Sequence, residues 1–211
     1  SGNVHATDAH SLQAQSDLTI AYNALAAQAD DSQITADLGG QTLTPGVYEA
    51  TSTAGLTATL SLDAEGDPDS VFIFQVGSAL TTAPNSTVAL LNGAQACNVF
   101  WQIGSSATLD TDTSFVGSIL ALTSITINTA STVDGRALAR NGSVTLDSNT
   151  FTNSECSTGA TVPPVTTVPP TGTTEPTGTT EPTGTTGPTV TSPPTTATPT
   201  VSPTVTPTAT T

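Results

Sequence analysis

Residues 124–150 read SITINTASTVDGRALARNGSVTLDSNT and contain two near-copies of one short pattern. The first copy, SITIN at residues 124–128, and the second, SVTLD at residues 143–147, both alternate an aliphatic residue with a small polar one. Alternation with a period of two is typical of a β-strand that has one face on a core and the other on a surface. Both copies therefore predict short strands with small polar side chains on the outer face.

The same pattern recurs along the chain at a regular interval. Thr126 follows Thr108 by 18 residues and precedes Thr145 by 19, whereas Thr81 precedes Thr108 by 27. Short strands repeated about every 20 residues are typical of the coils of a β-solenoid, and the longer interval predicts an inserted loop or strand. The coils are expected to place these columns on one surface: Thr81, Thr108, Thr126 and Thr145; Ser106, Ser124 and Ser143; Asp110, Asn128 and Asp147; with Thr57, Thr59 and Ser61 as an extension.

Two interpretations account for the outward threonines. Threonine is a favourable residue on any exposed strand. Its χ1 angle is also restricted on a strand, so a flat array of threonines can hold water in a lattice at little cost in side-chain entropy. The column of threonines alone does not decide between a plain strand surface and a surface that binds ordered water.

Other segments are apolar on both faces and need a cover on the outer side. They are VFIF at residues 71–74, VFWQI at 99–103 and FVGSILAL at 115–122. Residues 8–29 contain neither Gly nor Pro and place apolar residues three or four apart, which predicts an amphipathic helix with Thr7 or Asp8 as its cap. This helix is the expected cover.

Composition divides the chain into two parts. Residues 1–156 contain every aromatic residue, both cysteines and both arginines, whereas residues 157–211 are nearly all Thr, Pro, Gly, Val and Ser. We therefore expect one globular domain at 1–156 and a disordered Thr/Pro-rich linker or stalk at 157–211, which cannot bury a core. The repeated PTGTTE motif of the tail favours polyproline II and suits O-glycosylation.

Charge and cysteine content limit the classes of function. The chain has 17 acidic residues against 2 basic ones and a net charge of −15, so a nucleic-acid partner is excluded. Without a long apolar run, membrane insertion is not expected either. In an exported protein, Cys97 and Cys156 would form one disulfide that pins the end of the domain, and this pairing is favoured over two free thiols.

Metal-ligating residues are sparse. The turn LDAEGDPDS at residues 62–70 collects four acidic side chains and offers oxygen ligands for calcium, but its spacing is not that of an EF-hand and a solvated turn is favoured. His5 and His10 lie near the start of the predicted helix, with no cluster of Cys or carboxylates to complete a zinc site. No metal or cofactor is expected.

One pair of carboxylates is a candidate catalytic site. Asp110 and Asp147 are two coils apart, about 9.6 Å at the usual strand spacing, close to the ~9.5 Å upper limit for an inverting glycosidase. Neither has a neighbouring arginine or apolar segment that would separate the two pKa values. The sequence therefore predicts a protein that is not an enzyme.

Long segments of the chain resemble the bacterial and fungal ice-binding protein family, once catalogued as a domain of unknown function. The resemblance is carried by QAQSDLTIAYNALAA at 13–27, the segment 38–78 that begins LGGQTLTPGVYEAT, NGAQACNVFWQIGSSATL at 92–109, FVGSILALTSITIN at 115–128 and VDGRALARNGSVTLD at 133–147. It implies a mostly β fold, a discontinuous right-handed β-helix of triangular section, with one long helix packed alongside and ice bound on another face. The family usually has further strands before the helix, so this chain is expected to lack the first part of that fold.

The family often carries a Thr-Ala/Gly-x-Thr/Asn motif in loops beside its ice-binding face. TAPN at residues 82–85 and TAST at 129–132 match it, whereas TDTS at 111–114 departs from it at two positions. Together with the columns above, the resemblance implies these ice-contacting residues: Thr81, Thr82, Asn85, Ser106, Thr108, Thr111, Thr113, Ser124, Thr126, Asn128, Thr129, Thr132, Ser143 and Thr145.

We therefore expect a secreted or surface-tethered bacterial module, monomeric, whose partner is the surface of an ice crystal. The tail would attach it to a cell wall or to further domains. A carbohydrate-binding or carbohydrate-cleaving β-solenoid, or a surface adhesin, is the alternative. Sugar sites usually present exposed Trp or Tyr, and Trp101 lies in a doubly apolar strand, which favours the ice-binding hypothesis.

Overall fold

A computed structural model describes residues 4–34 and 37–157 of the 211-residue chain. These residues form one α-helix, one short 3-10 helix and a series of short strands. The elements are α1 Ala9–Ala26, β1 Ser32–Gln33, β2 Thr42–Leu43, β3 Gly46–Ala50, β4 Ala54–Leu56, β5 Thr59–Asp63, β6 Phe72–Val76, β7 Leu80–Thr82, β8 Thr87–Leu91, the 3-10 helix Ala96–Asn98, β9 Val99–Ile103, β10 Ala107–Leu109, β11 Ser114–Ala121, β12 Ile125–Ile127, β13 Thr132–Ala139, β14 Val144–Leu146 and β15 Thr150–Thr152. The predicted tail at 157–211 lies outside the described residues except for Ser157.

Every strand pair in the described part of the chain is parallel, and the chain visits three rows of strands in turn. The helix-side row contains β1, β3, β6, β9 and the second halves of β11 and β13. The short-strand row contains β4, β7, β10, β12 and β14. The far row contains β2, β5, β8, the first halves of β11 and β13, and β15. One pass through the three rows is a coil, so the predicted repeat of short stacked strands is confirmed.

The interval between successive coils depends on how the far row connects to the helix-side row. In the 18-residue coils, one continuous strand crosses both rows, and Gly117 in β11 allows the bend with a φ of +106°. A Cβ at this position would lie 2.7 Å from the carbonyl oxygen of Val99, so glycine is required. In the 27-residue coil, residues 92–98 separate β8 from β9 as a loop that contains the 3-10 helix. The predicted insertion is therefore a loop.

Aromatic side chains from successive coils stack inside the helix-side row. The Phe74 ring lies 4.0 Å from the Trp101 ring and 5.7 Å from the Tyr48 ring between centroids, and Phe115 packs against Trp101 at 4.9 Å. The indole N–H of Trp101 donates to the carbonyl oxygen of Val116 at 2.9 Å, so the one polar atom of the buried ring is satisfied. This stack and the inward aliphatic residues form one continuous core.

Helix α1 covers the helix-side row, as predicted from its doubly apolar strands. Leu18 and Tyr22 are buried against Leu120 of β11, and the Tyr22 hydroxyl donates to the carbonyl oxygen of Ile103 at 3.2 Å. The helix is shorter than the predicted residues 8–29. Its N-cap is Asp8, whose carboxylate accepts from the backbone N–H of Ser11 at 2.9 Å.

The C-terminal end of the helix is held by a buried side chain of β6. The Gln75 amide donates to the carbonyl oxygens of Leu25 at 2.7 Å and Gln28 at 2.9 Å. The Leu25 carbonyl lies in the last turn of the helix, where it also accepts from the Gln28 N–H at 3.3 Å, and Gln28 lies just beyond the helix. Gln75 therefore fixes the helix on the sheet as well as satisfying its own buried amide.

The predicted disulfide is confirmed: Cys97, in the loop between β8 and β9, is bonded to Cys156, which follows β15. Hydrogen bonds reinforce the junction, because the Gln95 side chain accepts from the Ser157 N–H at 2.7 Å and donates to the Ser157 carbonyl oxygen at 3.0 Å. The end of the domain is thus tied to a loop three coils earlier.

The last coil is more open than the others. Its inward side chains Val144, Leu146 and Phe151 are 38%, 52% and 39% exposed, whereas the equivalent Ile125 and Ile127 of the preceding coil are buried. Within residues 4–34 and 37–157, no further strand pairs with β14 or β15. The core of the stack therefore reaches solvent at this end.

Candidate functional site

Four threonines lie side by side across the short-strand row. Thr81 pairs with Thr108, Thr108 with Thr126, and Thr126 with Thr145, each at the centre of a three-residue strand. The equivalent position in β4 is Gly55, which pairs with Thr81 and ends the series. Because neighbouring strands are about 4.8 Å apart, the four side chains form a straight column, here called the threonine ladder.

The hydroxyls of the threonine ladder are available to solvent. Thr81 and Thr145 are exposed, while Thr108 and Thr126 are half-buried between their neighbours. None of the four hydroxyls has a hydrogen-bond partner among the described residues. Since a threonine on a strand has few χ1 rotamers, the ladder is a rigid row of unused hydrogen-bonding groups.

The predicted serine column lies at one edge of the threonine ladder. The Ser106 hydroxyl is 2.6 Å from the Thr123 hydroxyl, and the Ser124 hydroxyl accepts weakly from the Ser143 N–H at 3.4 Å. These contacts join successive coils. They leave the hydroxyls of Ser106 and Ser124 less free than those of the threonines to bind an external ligand.

The third predicted column forms the other edge and is also linked from coil to coil. The Asn128 amide donates to the Asp110 carboxylate at 3.2 Å, and the Thr129 hydroxyl donates to the Asp147 carboxylate. The Asn149 amide donates to the Asn128 carbonyl oxygen at 2.7 Å. Both carboxylates are therefore held along the edge of the surface by neighbouring donors.

Two residues predicted to contact ice are buried instead. Thr82 and Thr113 are only 2% and 1% exposed, and their hydroxyl oxygens lie 2.9 Å apart inside the corner between the short-strand row and the far row. The Thr82 hydroxyl also accepts from the Asp110 N–H at 2.8 Å, and the buried Ser131 hydroxyl accepts from the Thr113 N–H at 3.2 Å. Their assignment as ice contacts is wrong, because these hydroxyls satisfy buried polar groups.

Three further predicted residues lie on the far row, although Thr59 and Ser61 were expected to extend the ladder surface and Thr132 to lie in a loop beside it. Thr132 begins β13, while Thr59 and Ser61 lie on β5, so all three belong to the far row and not to the surface of the threonine ladder. Thr57 lies at the corner after β4, where its hydroxyl donates to the Asp37 carboxylate.

The corner loops bring the remaining predicted residues beside the ladder. Asn85 and Thr129 are exposed and Thr111 is half-buried. The Asn85 backbone has a φ of +62°, a left-handed conformation that asparagine adopts more readily than most residues. Of the end residues of the two matching motifs, Asn85, Thr129 and Thr132 are exposed, whereas Thr82 is buried.

The acidic turn is explained by its own hydrogen bonds. The Asp63 carboxylate accepts from the Glu65 N–H at 2.8 Å and from the Asn92 amide, and these bonds hold the Asp63 pKa below its ordinary value. Residues 4–34 and 37–157 contain no group of three or more His, Cys, Asp or Glu side chains that could hold a metal ion. Among the same residues, no helix is long and apolar enough to cross a membrane.

Stacked parallel coils and a straight, rigid row of solvent-facing hydroxyls define a class of protein that presents a periodic surface to its ligand. A sequence model of the family described as "Ice-binding-like" matches residues 1–152, and the chain belongs to this family. An ice-binding protein of a Nostoc species is 54% identical over 155 residues, covering 72% of this chain and 57% of that protein. Ice-binding protein 1 of Shewanella frigidimarina is 43% identical over 148 residues, covering 67% and 17%.

Solved structures agree with the assignment of the fold. The crystal structure of an ice-binding protein from the Antarctic ascomycete Antarctomyces psychrotrophicus aligns with a TM-score of 0.72 and 41% identity, covering 74% of this chain and 77% of that one. The DUF3494 domain of Shewanella frigidimarina ice-binding protein 1 aligns with a TM-score of 0.65 and 41% identity, covering 68% and 63%. The mostly β, parallel-sheet fold with one helix is therefore shared with ice-binding proteins.

Proposed function

We propose that this chain is an ice-binding module that holds ice on the surface formed by the threonine ladder. The observation that carries the proposal is the register of Thr81, Thr108, Thr126 and Thr145 across four adjacent strands. The chain spans 57% of the length of the Nostoc ice-binding protein and 17% of that of Shewanella. The activity of those whole proteins is therefore proposed for this chain.

The physical argument rests on periodicity and rigidity. A crystal surface is a repetitive ligand, so it is matched best by groups that repeat at a fixed spacing and do not reorganise on binding. The hydroxyls of the threonine ladder can hydrogen-bond to water, while the methyl group of each threonine limits the number of water orientations around it. We infer that the ladder orders a layer of water that merges with the ice lattice.

We propose that the three rows wind as a right-handed β-helix of triangular section. Connections between parallel strands are right-handed in nearly all known cases. Three rows visited in the same order by successive coils fit three sides of one prism. On this arrangement the helix covers one side and the threonine ladder occupies the next.

The burial of the aromatic residues argues against a carbohydrate site. The chain has one Trp and two Tyr, and Trp101, Tyr22 and Tyr48 are 0%, 7% and 8% exposed. Sugar rings are usually bound by stacking on an exposed aromatic side chain, and none of these three is accessible. We therefore favour a non-catalytic ice-binding role, without metal or cofactor, over carbohydrate binding or cleavage.

We propose that the module is monomeric and works outside the cell, secreted or attached to the cell surface through its Thr/Pro-rich tail. The disulfide between Cys97 and Cys156 supports this location, because such bonds persist in oxidising compartments. The composition of residues 158–211 supports a spacer to a cell wall or a further domain.

Microscopy of single ice crystals in the purified chain tests the proposal. The folded protein should shape the growing crystal and inhibit recrystallisation in a frozen sucrose solution. The same protein after heat denaturation and reduction should leave crystals round and recrystallisation unchanged. Round crystals with the folded protein would refute the proposed function.

A further inference from the structure

A second column of hydroxyls runs through the far row. Thr59 pairs with Thr87, Thr87 with Ser114, Ser114 with Thr132, and Thr132 with Thr150. The column crosses five consecutive strands without interruption, one more than the threonine ladder, which ends at a glycine. It is here called the far-row ladder.

The far-row ladder presents its hydroxyls to solvent. Four of its members are exposed and one, Thr87, is half-buried. No side-chain hydroxyl of the column has a hydrogen-bond partner among the described residues, in contrast to the buried hydroxyls of the adjacent corner. The five side chains therefore keep their full capacity to bind water.

Both ladders have the same repeat because the same coils build both rows. One residue of each ladder comes from each coil: Thr81 and Thr87 from one, Thr108 and Ser114 from the next, Thr126 and Thr132 from the third, Thr145 and Thr150 from the last. The distance from one hydroxyl to the next is set by the stacking of parallel strands, about 4.8 Å in either row. A periodic ligand that matches the threonine ladder therefore also matches the far-row ladder along the coil axis.

The corner between the two ladders is stiff. The buried contact between Thr82 and Thr113 joins successive coils inside it, and the Ser131 hydroxyl donates to the Asp110 carbonyl oxygen at 2.7 Å. The Ser86 hydroxyl lies 2.6 Å from the carbonyl oxygens of Leu56 and Ala83. Neither ladder is a mobile loop that must be ordered before it binds.

We propose that the far-row ladder is a second ice-binding face that acts independently of the threonine ladder. This inference rests on the proposed function, because the far-row ladder has the same repeat as the surface that is proposed to hold ice. A molecule with two such faces attaches to ice by either one. Blocking one face then weakens attachment, and blocking both abolishes it.

A pair of tyrosine substitutions in the full chain tests the second face. Thr126→Tyr and Thr132→Tyr each raise a bulky ring from the centre of one ladder, and the double variant blocks both. The chain has no lysine, so an amine-reactive dye labels its α-amino group alone. Fluorescence taken up by a slowly grown ice hemisphere measures attachment, and Ser16→Tyr on the exposed side of α1 is the matched control.

The expected result is reduced uptake for each single variant, background uptake for the double variant and unchanged uptake for Ser16→Tyr. Background uptake for Thr126→Tyr alone, with Thr132→Tyr unchanged, would overturn the second face and leave the proposed function standing. Background uptake for Thr132→Tyr alone would overturn the independence of the two faces. Background uptake for the unsubstituted chain would refute ice binding itself. Melting temperatures confirm folding, and Thr59→Tyr replaces Thr132→Tyr if that variant unfolds.

Discussion

Thr82 and Thr113 share a hydrogen bond of 2.9 Å inside the corner of the coil stack, although they stand 31 residues apart in the chain and both look like surface residues in the sequence. We predict that Thr113→Val lowers the free energy of unfolding by about 1–3 kcal/mol, because it leaves buried polar partners unsatisfied without a change of shape. Urea denaturation measures the effect. Thr132→Val, an exposed site one coil later, should change stability by less than about 0.5 kcal/mol. Equal effects of the two substitutions would mean that the buried hydrogen bonds of Thr113 add no stability beyond that of an exposed threonine.

Two truncations separate the contribution of the disulfide from that of the tail. A chain ending at Ser157 keeps the bond between Cys97 and Cys156 and the hydrogen bonds to Gln95, and should melt at the temperature of the full chain. A chain ending at Glu155 loses both. The closed loop spans 59 positions, and the chain-entropy model assigns it about 4 kcal/mol.

Thermal unfolding without reductant compares the two truncations. A large loss of stability for the chain ending at Ser157 would show that residues 158–211 contribute to the fold. Similar stability for both truncations would show that the disulfide does not stabilise the last coil.

Thr126→Tyr should weaken ice binding and leave the fold intact. Thr126 lies mid-ladder between Thr108 and Thr145, and its side chain points outward, so stability should change by less than about 0.5 kcal/mol. Inhibition of ice recrystallisation should fall to what the far-row ladder alone supports, since the ring prevents close contact of the threonine ladder with a flat crystal. Thr177→Tyr in the tail is the comparison and should change neither quantity. Full activity of Thr126→Tyr would place ice binding away from the threonine ladder.

Stability should decline in acid for a specific electrostatic reason. Burial raises the pKa of Asp134, but the Ser154 hydroxyl and N–H bind its carboxylate and leave the net pKa below the ordinary 3.8. The pKa of Asp37 is also lowered, by the Thr57 hydroxyl and then by the Gly39 N–H. Above pH 3.8 these aspartates are ionised in both states and their contribution is complete. As the pH falls through the folded-state pKa values, the unfolded state takes up protons first and stability is lost.

Melting temperatures measured from neutral pH down to about pH 2 check the acid dependence. A plateau should end near the ordinary pKa of aspartate, and Asp134→Asn should flatten the decline below it. Asp112→Asn is the control, because the Asp112 side chain accepts no hydrogen bond among the described residues. A melting temperature that rises in acid would contradict the assignment.

The stacking of the coils could be predicted because the same short alternating pattern recurs at a regular interval along the chain. The threonines of the ladder are 27, 18 and 19 residues apart in the chain and pair directly with one another on adjacent strands. The alternating Ile125 and Ile127 are buried as expected. The helix was found from its apolar spacing and the absence of Gly and Pro. The local sequence pattern is sufficient to predict strand pairing wherever a residue contacts its equivalent in the next coil.

Exposure at the corners was predicted wrongly where the loop motif of the family was preferred to the alternation of the strand. Thr82 and Thr81 are adjacent and chemically identical, yet one is buried and the other exposed, because the strand alternates its side chains and the corner turns immediately afterwards. The signal that would have revealed the far-row ladder was present: Thr87, Ser114, Thr132 and Thr150 follow one another at intervals of 27, 18 and 18 residues. It was hidden because β11 and β13 cross two rows, so their first residues look like parts of the loops before them.

The disulfide decides which part of the molecule bears mechanical load. Tension applied to the chain beyond Ser157 enters at Cys156, passes through the covalent bond to Cys97 and continues toward the helix. The segment from β9 to β15 lies inside the closed loop, so this covalent path bypasses it. Three of the four residues of the threonine ladder, Thr108, Thr126 and Thr145, belong to this segment. A pull on the tail therefore cannot peel the last coil, which contains Thr145, off the stack unless the disulfide breaks.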